Sequence, residues 1–202
     1  MGRPSREDAE RIGESILAAA TEMFLAQGYG ATSIEAIAQH LRISKRTFYH
    51  RFKDKAELFG AVVHAIVDRM KPPDMSRLFT GASLEEILLR VGELALQASL
   101  SPQGLSLQRL ILSESKRFPE LAAIASGEGT REMAVNALAQ LLADHLPPGE
   151  AHFAADQFLQ MVIALPQRRA MGLEPPISAE DHRLWVRRTV DLFLHGCLHR
   201  GK

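Results

Sequence analysis

Residues 28–59 read GYGATSIEAIAQHLRISKRTFYHRFKDKAELF, and this stretch decides the fold of the 202-residue chain. Apolar residues recur in it at the spacing of an α-helix, and residues that cap helices stand at the breaks. Thr32, with Glu35 three positions later, predicts the start of one helix, and Ser44 predicts the start of the next. Two short helices joined by about three residues are typical of a helix-turn-helix.

The rest of the chain keeps the same helical spacing, and no sustained alternating run indicates a β-strand. Capping residues, among them Asp54, Ser83 and Ser178, together with prolines and glycines, divide the whole chain into about nine helices, so we predict an all-α fold. The proline pair at residues 72–73 begins a loose stretch that separates the N-terminal helices from a larger helical part. Two long helices, residues 151–171 and 179–200, are predicted to close the chain.

Composition limits the classes of protein that fit. Lys and Arg number 24, as do Asp and Glu, so binding to a polyanion must come from local clustering of charge. The single cysteine, Cys197, excludes a disulfide scaffold and a four-thiolate metal site. The N-terminus is too charged for a signal peptide, and no apolar run has the length of a membrane span. We therefore expect a cytoplasmic protein with no membrane segment.

Positive charge is concentrated around the second helix of the predicted pair. Residues 42–55 include one acidic residue, Asp54, and six basic residues: Arg42, Lys45, Arg46, Arg51, Lys53 and Lys55. A solvated basic face is the ordinary explanation of such a run. Its coincidence with two short helices and a tight turn favours DNA binding over that explanation.

The second helix, predicted over residues 45–51, carries residue types that contact DNA. In a helix-turn-helix, the N-terminal residues of this helix meet base edges in the major groove. The candidates for base contacts are Lys45, Arg46, Thr47 and, one turn later, His50. The candidates for phosphate contacts are Tyr49, Arg51 and Lys55.

The stretch from Gly28 to Phe59 resembles the N-terminal domain of TetR-family transcriptional regulators. The positions that carry this resemblance are Thr32, Ile37, Ala38, Thr47, Tyr49, Phe52, Lys53, Lys55 and Leu58. One departure is Arg42, which stands where the family usually has glycine at the turn. A left-handed backbone at this position would be mildly strained for arginine.

The resemblance implies roles for individual residues and for two domains. Residues 1–60 would form the DNA-binding domain, and residues 61–202 would bind an effector and dimerise. The positions at which the family contacts DNA are Ser33, Thr47, Tyr49, His50 and Lys55. Arg3 and Arg6 resemble arms that reach toward a minor groove, with a disordered tail as the alternative for Arg3. The run RLILSESKRFPELA, residues 109–122, resembles an AefR-like C-terminal domain type.

The larger domain is expected to dimerise through the last two helices, as the resemblance implies. Their apolar residues would form the contact, unless they face their own core: Phe153, Phe158, Met161, Val162, Leu165, Trp185, Val186, Val190, Phe193, Leu194 and Cys197. Two helical recognition elements related by a dyad read half-sites about one helical turn of DNA apart, or a multiple of it. A palindromic operator bound by a homodimer is therefore expected.

Polar residues within apolar helices are candidates for an effector cavity. They are Gln97, Gln108, Arg109, Ser113, Gln157 and Gln160, with Arg109 as a partner for an anionic ligand. The alternative for each is a place on a helix surface. The surrounding Phe, Met and Leu residues favour a mostly apolar small molecule as the unknown effector.

Other classes of function find little support. The chain lacks the nucleophile, phosphate-binding, dinucleotide-binding and zinc-protease motifs, so we expect neither an enzyme nor a cofactor. His195 and His199 have metal-binding spacing, with His182 upstream, but no ligand of another type accompanies them. A helical interaction module without a DNA role would leave Lys45 and Arg46 unexplained. We therefore predict a ligand-responsive, homodimeric transcriptional regulator, a repressor that an effector releases from its operator.

Overall fold

The computed structural model describes residues 6–69, 78, 83–126, 130–175 and 178–197. These residues form ten α-helices and no β-strand, which confirms the all-α fold. The helices are α1 (Arg6–Gln27), α2 (Ile34–His40), α3 (Lys45–Tyr49), α4 (Lys55–Asp68), α5 (Leu84–Leu100), α6 (Pro102–Glu114), α7 (Pro119–Ser126), α8 (Thr130–Leu142), α9 (Ala151–Ala170) and α10 (Ala179–Cys197). None of these helices has the length and hydropathy needed to cross a membrane.

The tenth helix comes from the stretch after Pro119, where the sequence predicts a long helical segment to Leu146 with Gly127 and Gly129 as candidate points of interruption. The structure has α7 and α8 there, and α8 ends at Leu142. The glycines expected to interrupt this stretch, Gly127 and Gly129, lie outside the described residues. So do the proline pair at residues 72–73 and the predicted arm residue Arg3.

Predicted capping residues make the starts of α3, α4, α5 and α10. Ser83 and Glu86 form a reciprocal capping box at α5. At α10, the N–H of Asp181 donates to the Ser178 hydroxyl, and the Asp181 carboxylate accepts from the N–H of Ser178. Ser44 and Asp54 cap α3 and α4, because each side chain accepts the backbone N–H of the residue three positions later.

The predicted capping box at α2 is wrong by one residue. The N-cap is Ser33, whose hydroxyl accepts from the N–H of Ala36 at 3.0 Å. Thr32 is fully buried, and its hydroxyl donates to the carbonyl of Gly28 at 2.8 Å. A hydroxyl without access to water needs an internal partner, so Thr32 bonds back toward α1 and leaves the capping position to its neighbour.

Contacts among the described residues divide the chain into two compact units. One consists of Met1–Arg69 with Ser106–Gly129, and the other of Met70–Leu105 with Thr130–Lys202. The predicted domain boundary between residues 60 and 61 falls inside α4. The assignment of separate functions to residues 1–60 and 61–202 stays a prediction.

The first unit has an aromatic centre that joins α1 to α4. The rings of Phe24 and Tyr29 each lie edge-on to Phe59, with centroids 5.7 and 5.3 Å apart respectively. All three side chains are almost completely buried. Edge-to-face pairs stabilise beyond the area that they bury, so this cluster provides a firm base for the short helices beside it.

The second unit is built around α5, α8, α9 and α10. Phe158 of α9 and Phe193 of α10 pack edge-on with centroids 5.1 Å apart, and both are buried. Gly92 of α5 lies so close to α10 that a Cβ there would stand 2.9 Å from a methyl carbon of Val186. Glycine therefore permits this close helix contact, and a larger residue would force the helices apart.

Pro166 lies buried inside α9, and its neighbours compensate for its missing N–H. Because proline donates no hydrogen bond, the carbonyl four residues earlier, that of Val162, loses its helical donor. The indole N–H of Trp185 on α10 donates to this carbonyl at 2.9 Å. The proline thus leaves an acceptor that joins α9 to α10.

The apolar residues of α9 and α10 divide into core and surface. Those buried in the core of their own unit are Phe158, Val162, Val186, Val190 and Phe193. For these five the alternative interpretation holds, because a side chain closed off inside one protomer cannot contact another. Large apolar side chains remain exposed at Phe153, Leu184 and Leu192.

Candidate nucleic-acid interface

The turn between α2 and α3 ends α2 with a Schellman motif. The N–H of Ile43 donates to the carbonyl of Ala38 at 2.9 Å, and the N–H of Arg42 donates to that of Gln39 at 3.1 Å. This pattern requires a left-handed residue directly after the C-cap. That residue is Arg42, which has φ +55°. Arg42 therefore adopts the left-handed conformation that is mildly strained for arginine, and the turn keeps it although glycine is absent.

α3 is held by its buried face and its first turn. Phe48 is fully buried and packs beside Phe52 and Tyr49. At the start of the helix, Ser44 accepts the N–H of Thr47 at 3.0 Å, and the two hydroxyls lie 2.8 Å apart. A helix of five residues is unstable alone, so this anchoring determines where its outer face points.

The outer face of α3 consists mostly of predicted DNA contacts. The exposed residues of α3 are Lys45, Arg46 and Tyr49, and His50, the residue after the helix, is exposed too. Thr47 is half-buried. Tyr49 is 50% exposed although it is aromatic. Ser33 is exposed as well, at the start of α2. Arg51 lies against α1, where a Cβ at Gly13 would meet its side chain.

Lys45 is paired inside the helix-turn-helix. Its ammonium group lies 2.5 Å from the carboxylate of Glu35 on α2. The hydrogen bond between them lowers the pKa of Glu35 and raises the pKa of Lys45. Both side chains are well exposed, so the pair is easily exchanged for another partner. Lys45 and Arg46 both stay predicted base contacts.

Lys55, expected at a phosphate, has internal partners. Its ammonium group donates to the carbonyls of Tyr29 at 2.8 Å and Thr32 at 2.9 Å. It also lies 4.2 Å from the centre of the Tyr29 ring, a cation–π geometry. Burial lowers the pKa of Lys55, with opposing effects from Glu114 and Glu120. In this geometry Lys55 holds the turn between α1 and α2; contact with a phosphate stays a prediction.

Three residues of the run at residues 109–122 hold the same turn, and the sequence alone did not connect them with it. The carboxylate of Glu114 accepts from the N–H groups of Tyr29 at 2.8 Å and Gly30 at 2.6 Å. The Phe118 ring packs edge-on against Tyr29 with centroids 5.1 Å apart. Glu120 accepts the Tyr29 hydroxyl at 3.3 Å. We call Glu114, Phe118 and Glu120 the turn clamp.

The turn clamp contributes to a raised pKa of Tyr29. Burial, together with the charge of Glu120 and its hydrogen bond, raises the pKa of Tyr29 to about 12. A tyrosine hydroxyl is protonated at physiological pH even without this shift, so the shift reports the burial of the ring and its bond to Glu120. A motif resemblance at residues 109–122 was the only sequence signal for these contacts, since their partners lie 84 to 91 positions away.

None of the predicted effector residues lines the depression that the described residues form in the second unit. Arg109, Ser113 and Gln157 are exposed, and Gln108 is half-buried. The Ser113 hydroxyl donates to the carbonyl of Leu110 at 3.0 Å. An open depression of about 500 Å³ in the second unit has other lining residues, among them Asn136, Gln140 and His152. An effector role for these four residues, and for Gln97 and Gln160, stays a prediction.

No group of His, Cys, Asp and Glu within the described part of the chain has the arrangement of a metal site. His195 instead pairs with Asp191, whose carboxylate lies 3.0 Å from its ring nitrogen. His199, the other half of the proposed histidine pair, lies outside the described residues.

Comparison with known proteins covers both parts of the chain. Residues 16–62 match the bacterial regulatory proteins of the tetR family, and residues 86–196 match the C-terminal domain of AefR-like transcriptional repressors. The HTH-type transcriptional regulator YdeS of Bacillus subtilis is 30% identical over 111 residues, 54% of this chain and 52% of YdeS. The chain thus spans about half the length of such curated relatives.

Solved structures agree over nearly the full length. A TetR-family regulator from Mesorhizobium loti is 27% identical with a TM-score of 0.75, over 96% of this chain and 98% of that one. The flavonoid-responsive regulator FrrA is 29% identical with a TM-score of 0.75, over 95% and 100% respectively. Members of the family are DNA-binding regulators and not enzymes. The chain therefore belongs to the TetR family of transcriptional regulators, with a C-terminal domain of the AefR-like type.

Proposed function

We propose that this protein is a repressor that recognises a palindromic operator through α3, with Arg46 as its principal base-reading residue. The observation that carries the proposal is an exposed polar face on α3, fixed from behind by buried Phe48. The Arg46 guanidinium can donate two hydrogen bonds to O6 and N7 of one guanine. Tyr49 and His50 are also exposed, and they extend the same surface toward the phosphate backbone of the DNA.

A single short helix contacts few base pairs, whereas the two α3 helices of a homodimer would contact two half-sites. Leu184 and Leu192 are exposed on α10, eight positions apart and hence on one face, and Phe153 is exposed on α9. Exposed apolar side chains of this size favour burial against a second copy. We propose these three residues, in place of the buried core residues, as the apolar part of the dimer contact.

The effector is proposed to be a small, mostly apolar molecule that releases the operator. FrrA, similar over almost the whole chain, responds to flavonoids, so a flavonoid is the first probe to test. Release requires tighter binding to the form with low DNA affinity. A preference of about 5.5 kcal/mol would change a 1:99 balance to 99:1. A flavonoid that saturates the protein without altering operator affinity would contradict this mechanism for that class.

The test of DNA recognition begins with selection of an operator from a random duplex library. Wild type and Arg46→Ala are then titrated against the selected operator and a scrambled duplex at two salt concentrations. We expect wild type to prefer the operator at least about 10³-fold and to lose affinity steeply with salt. Arg46→Ala should cost about 1–3 kcal/mol on the operator and relax preference at one position.

Lys53→Ala is the matched control, because Lys53 is an exposed basic residue of the same segment outside α3. It should weaken binding to both duplexes alike. An equal loss on both duplexes for Arg46→Ala would show that Arg46 contacts only phosphate. Equal affinity of wild type for the operator and the scrambled duplex would reject the sequence-specific regulator. If the proposal holds, the protein works where chromosomal DNA is, in the bacterial cytoplasm.

A further inference from the structure

The turn clamp joins the run at residues 109–122 to the start of the helix-turn-helix. Glu114 is the last residue of α6, and Glu120 lies in the first turn of α7. Both belong to the same compact unit as the turn that they hold. We propose that Glu114 is a positioning residue for operator binding, which sets the placement of α2 and α3 through the turn between α1 and α2. This inference rests on the proposed function.

The backbone of the turn suits a carboxylate. Gly28 has φ +93° and ends α1, and the next two N–H groups, those of Tyr29 and Gly30, both reach Glu114. Hydrogen bonds from N–H groups to an ionised carboxylate are about twice as strong as neutral ones. An amide at position 114 would keep the size of the side chain and lose this strength.

The turn is also held from α4. Lys55 donates to the carbonyls of Tyr29 and Thr32, while Glu114 takes the N–H groups of Tyr29 and Gly30. Donors and acceptors of the turn are thus bound by two oppositely charged side chains from different helices. The residue after Thr32 is Ser33, the N-cap of α2. A change at the end of α6 therefore reaches the first residue of the helix-turn-helix through one short, doubly bonded segment.

A positioning role and a purely electrostatic role of Glu114 predict opposite changes in operator affinity. DNA is a polyanion, so removing a carboxylate from a DNA-binding protein should strengthen binding if charge alone acts. If Glu114 positions α2 and α3, its removal should weaken operator binding instead. The two effects have opposite directions, which separates a positioning role from general electrostatics.

The experiment compares Glu114→Gln with wild type in the full-length protein. The matched control is Glu93→Gln, which removes the same charge from an exposed position on α5. Two quantities are measured: amide hydrogen exchange of residues 28–36, and affinity for the selected operator. We expect faster exchange at Tyr29 and Gly30 and operator affinity about tenfold weaker, the scale of one charge-assisted hydrogen bond. Glu93→Gln should leave exchange unchanged and affinity unchanged or slightly higher.

Phe118→Leu is a second variant, because it loosens the clamp without a change of charge. It should weaken operator affinity in the same direction while its thermal unfolding remains cooperative. Unchanged amide exchange in Glu114→Gln would overturn the clamp, whatever the measured operator affinity is. Faster exchange with unchanged or tighter operator binding would overturn the positioning role. A wild-type protein without sequence preference would be a failure of the proposed function, which the exchange measurement distinguishes from a failure of the clamp.

Discussion

α3 and α9 each present an aromatic side chain to solvent, and their surroundings differ. On α3, exposed Tyr49 lies among Lys45, Arg46 and His50, while Phe48 behind it is buried. On α9 Phe153 is exposed and Phe158 is buried, and the large apolar side chains exposed on the neighbouring helix α10 are Leu184 and Leu192. An aromatic group among basic side chains suits a polyanion, and one with aliphatic companions suits an apolar partner. The two surfaces therefore predict two different partners, DNA and a second copy.

The largest expected effect separates the two faces of α9. Phe158→Ala should lower the free energy of unfolding by about 3–5 kcal/mol, because it opens a cavity beside Phe193 in the core of the second unit. Urea unfolding followed by circular dichroism at one protein concentration measures this loss. A loss below about 1 kcal/mol would contradict the core position of Phe158.

Phe153→Ala is the control on the same helix, since its ring is 64% exposed. It should leave the helical spectrum unchanged and raise the protein concentration at which dimers form. Sedimentation velocity over a dilution series measures that shift. An unaltered monomer–dimer balance would remove Phe153 from the proposed contact.

The second effect concerns Lys55, a half-buried cation with internal partners, in contrast to the exposed cations on α3. Lys55→Met should lower the free energy of unfolding by about 2–3 kcal/mol, because two carbonyls of the turn lose a charged donor. Lys53→Met, exposed two residues earlier, should change it by less than about 0.5 kcal/mol. Thermal and urea unfolding give both values. If Lys55→Met unfolds like wild type but binds DNA weakly, the phosphate contact implied by the family resemblance is the better assignment.

These contrasts show which features the sequence could predict. The caps at Ser44, Asp54 and Ser83 each bond a group three residues away, so spacing alone identifies them. Thr32 and Ser33 have equivalent hydroxyls, and only burial, which depends on the whole unit, decides between them.

Non-local contacts escaped prediction for the same reason. Glu114 and Tyr29 are 85 positions apart, and nothing in either neighbourhood names the other. On α9 the apolar residues exceed one face, so periodicity identified a helix without showing that Phe158 faces the core and Phe153 the surface. The sequence therefore predicted the polar residues of α3, but it did not predict which apolar residues of the larger unit face the core and which face the surface.

The third effect tests the link between α9 and α10. Trp185→Phe should lower the free energy of unfolding by about 1–2 kcal/mol, because the carbonyl of Val162 loses the indole N–H that donates to it. Pro166→Ala supplies a helical N–H to that carbonyl. Trp185→Phe should consequently cost less in the Pro166→Ala background, and a double-mutant cycle measures the difference. Equal costs in both backgrounds would show that Trp185 acts through packing alone.

The smallest effect is at Arg42, where the turn that positions α3 contains a left-handed arginine with φ +55°. A side chain in this conformation costs roughly 1–2 kcal/mol, and glycine avoids that cost. Glycine also increases the entropy of the unfolded chain by about 0.4–1 kcal/mol, so Arg42→Gly should stabilise by only about 0.5 kcal/mol. Arg42→Ala removes the same charge but retains a Cβ, and should give no gain. Urea midpoints of the two variants measure the difference; equal midpoints would mean that the arginine causes no strain in the turn, and that its departure from the family pattern has no consequence for stability.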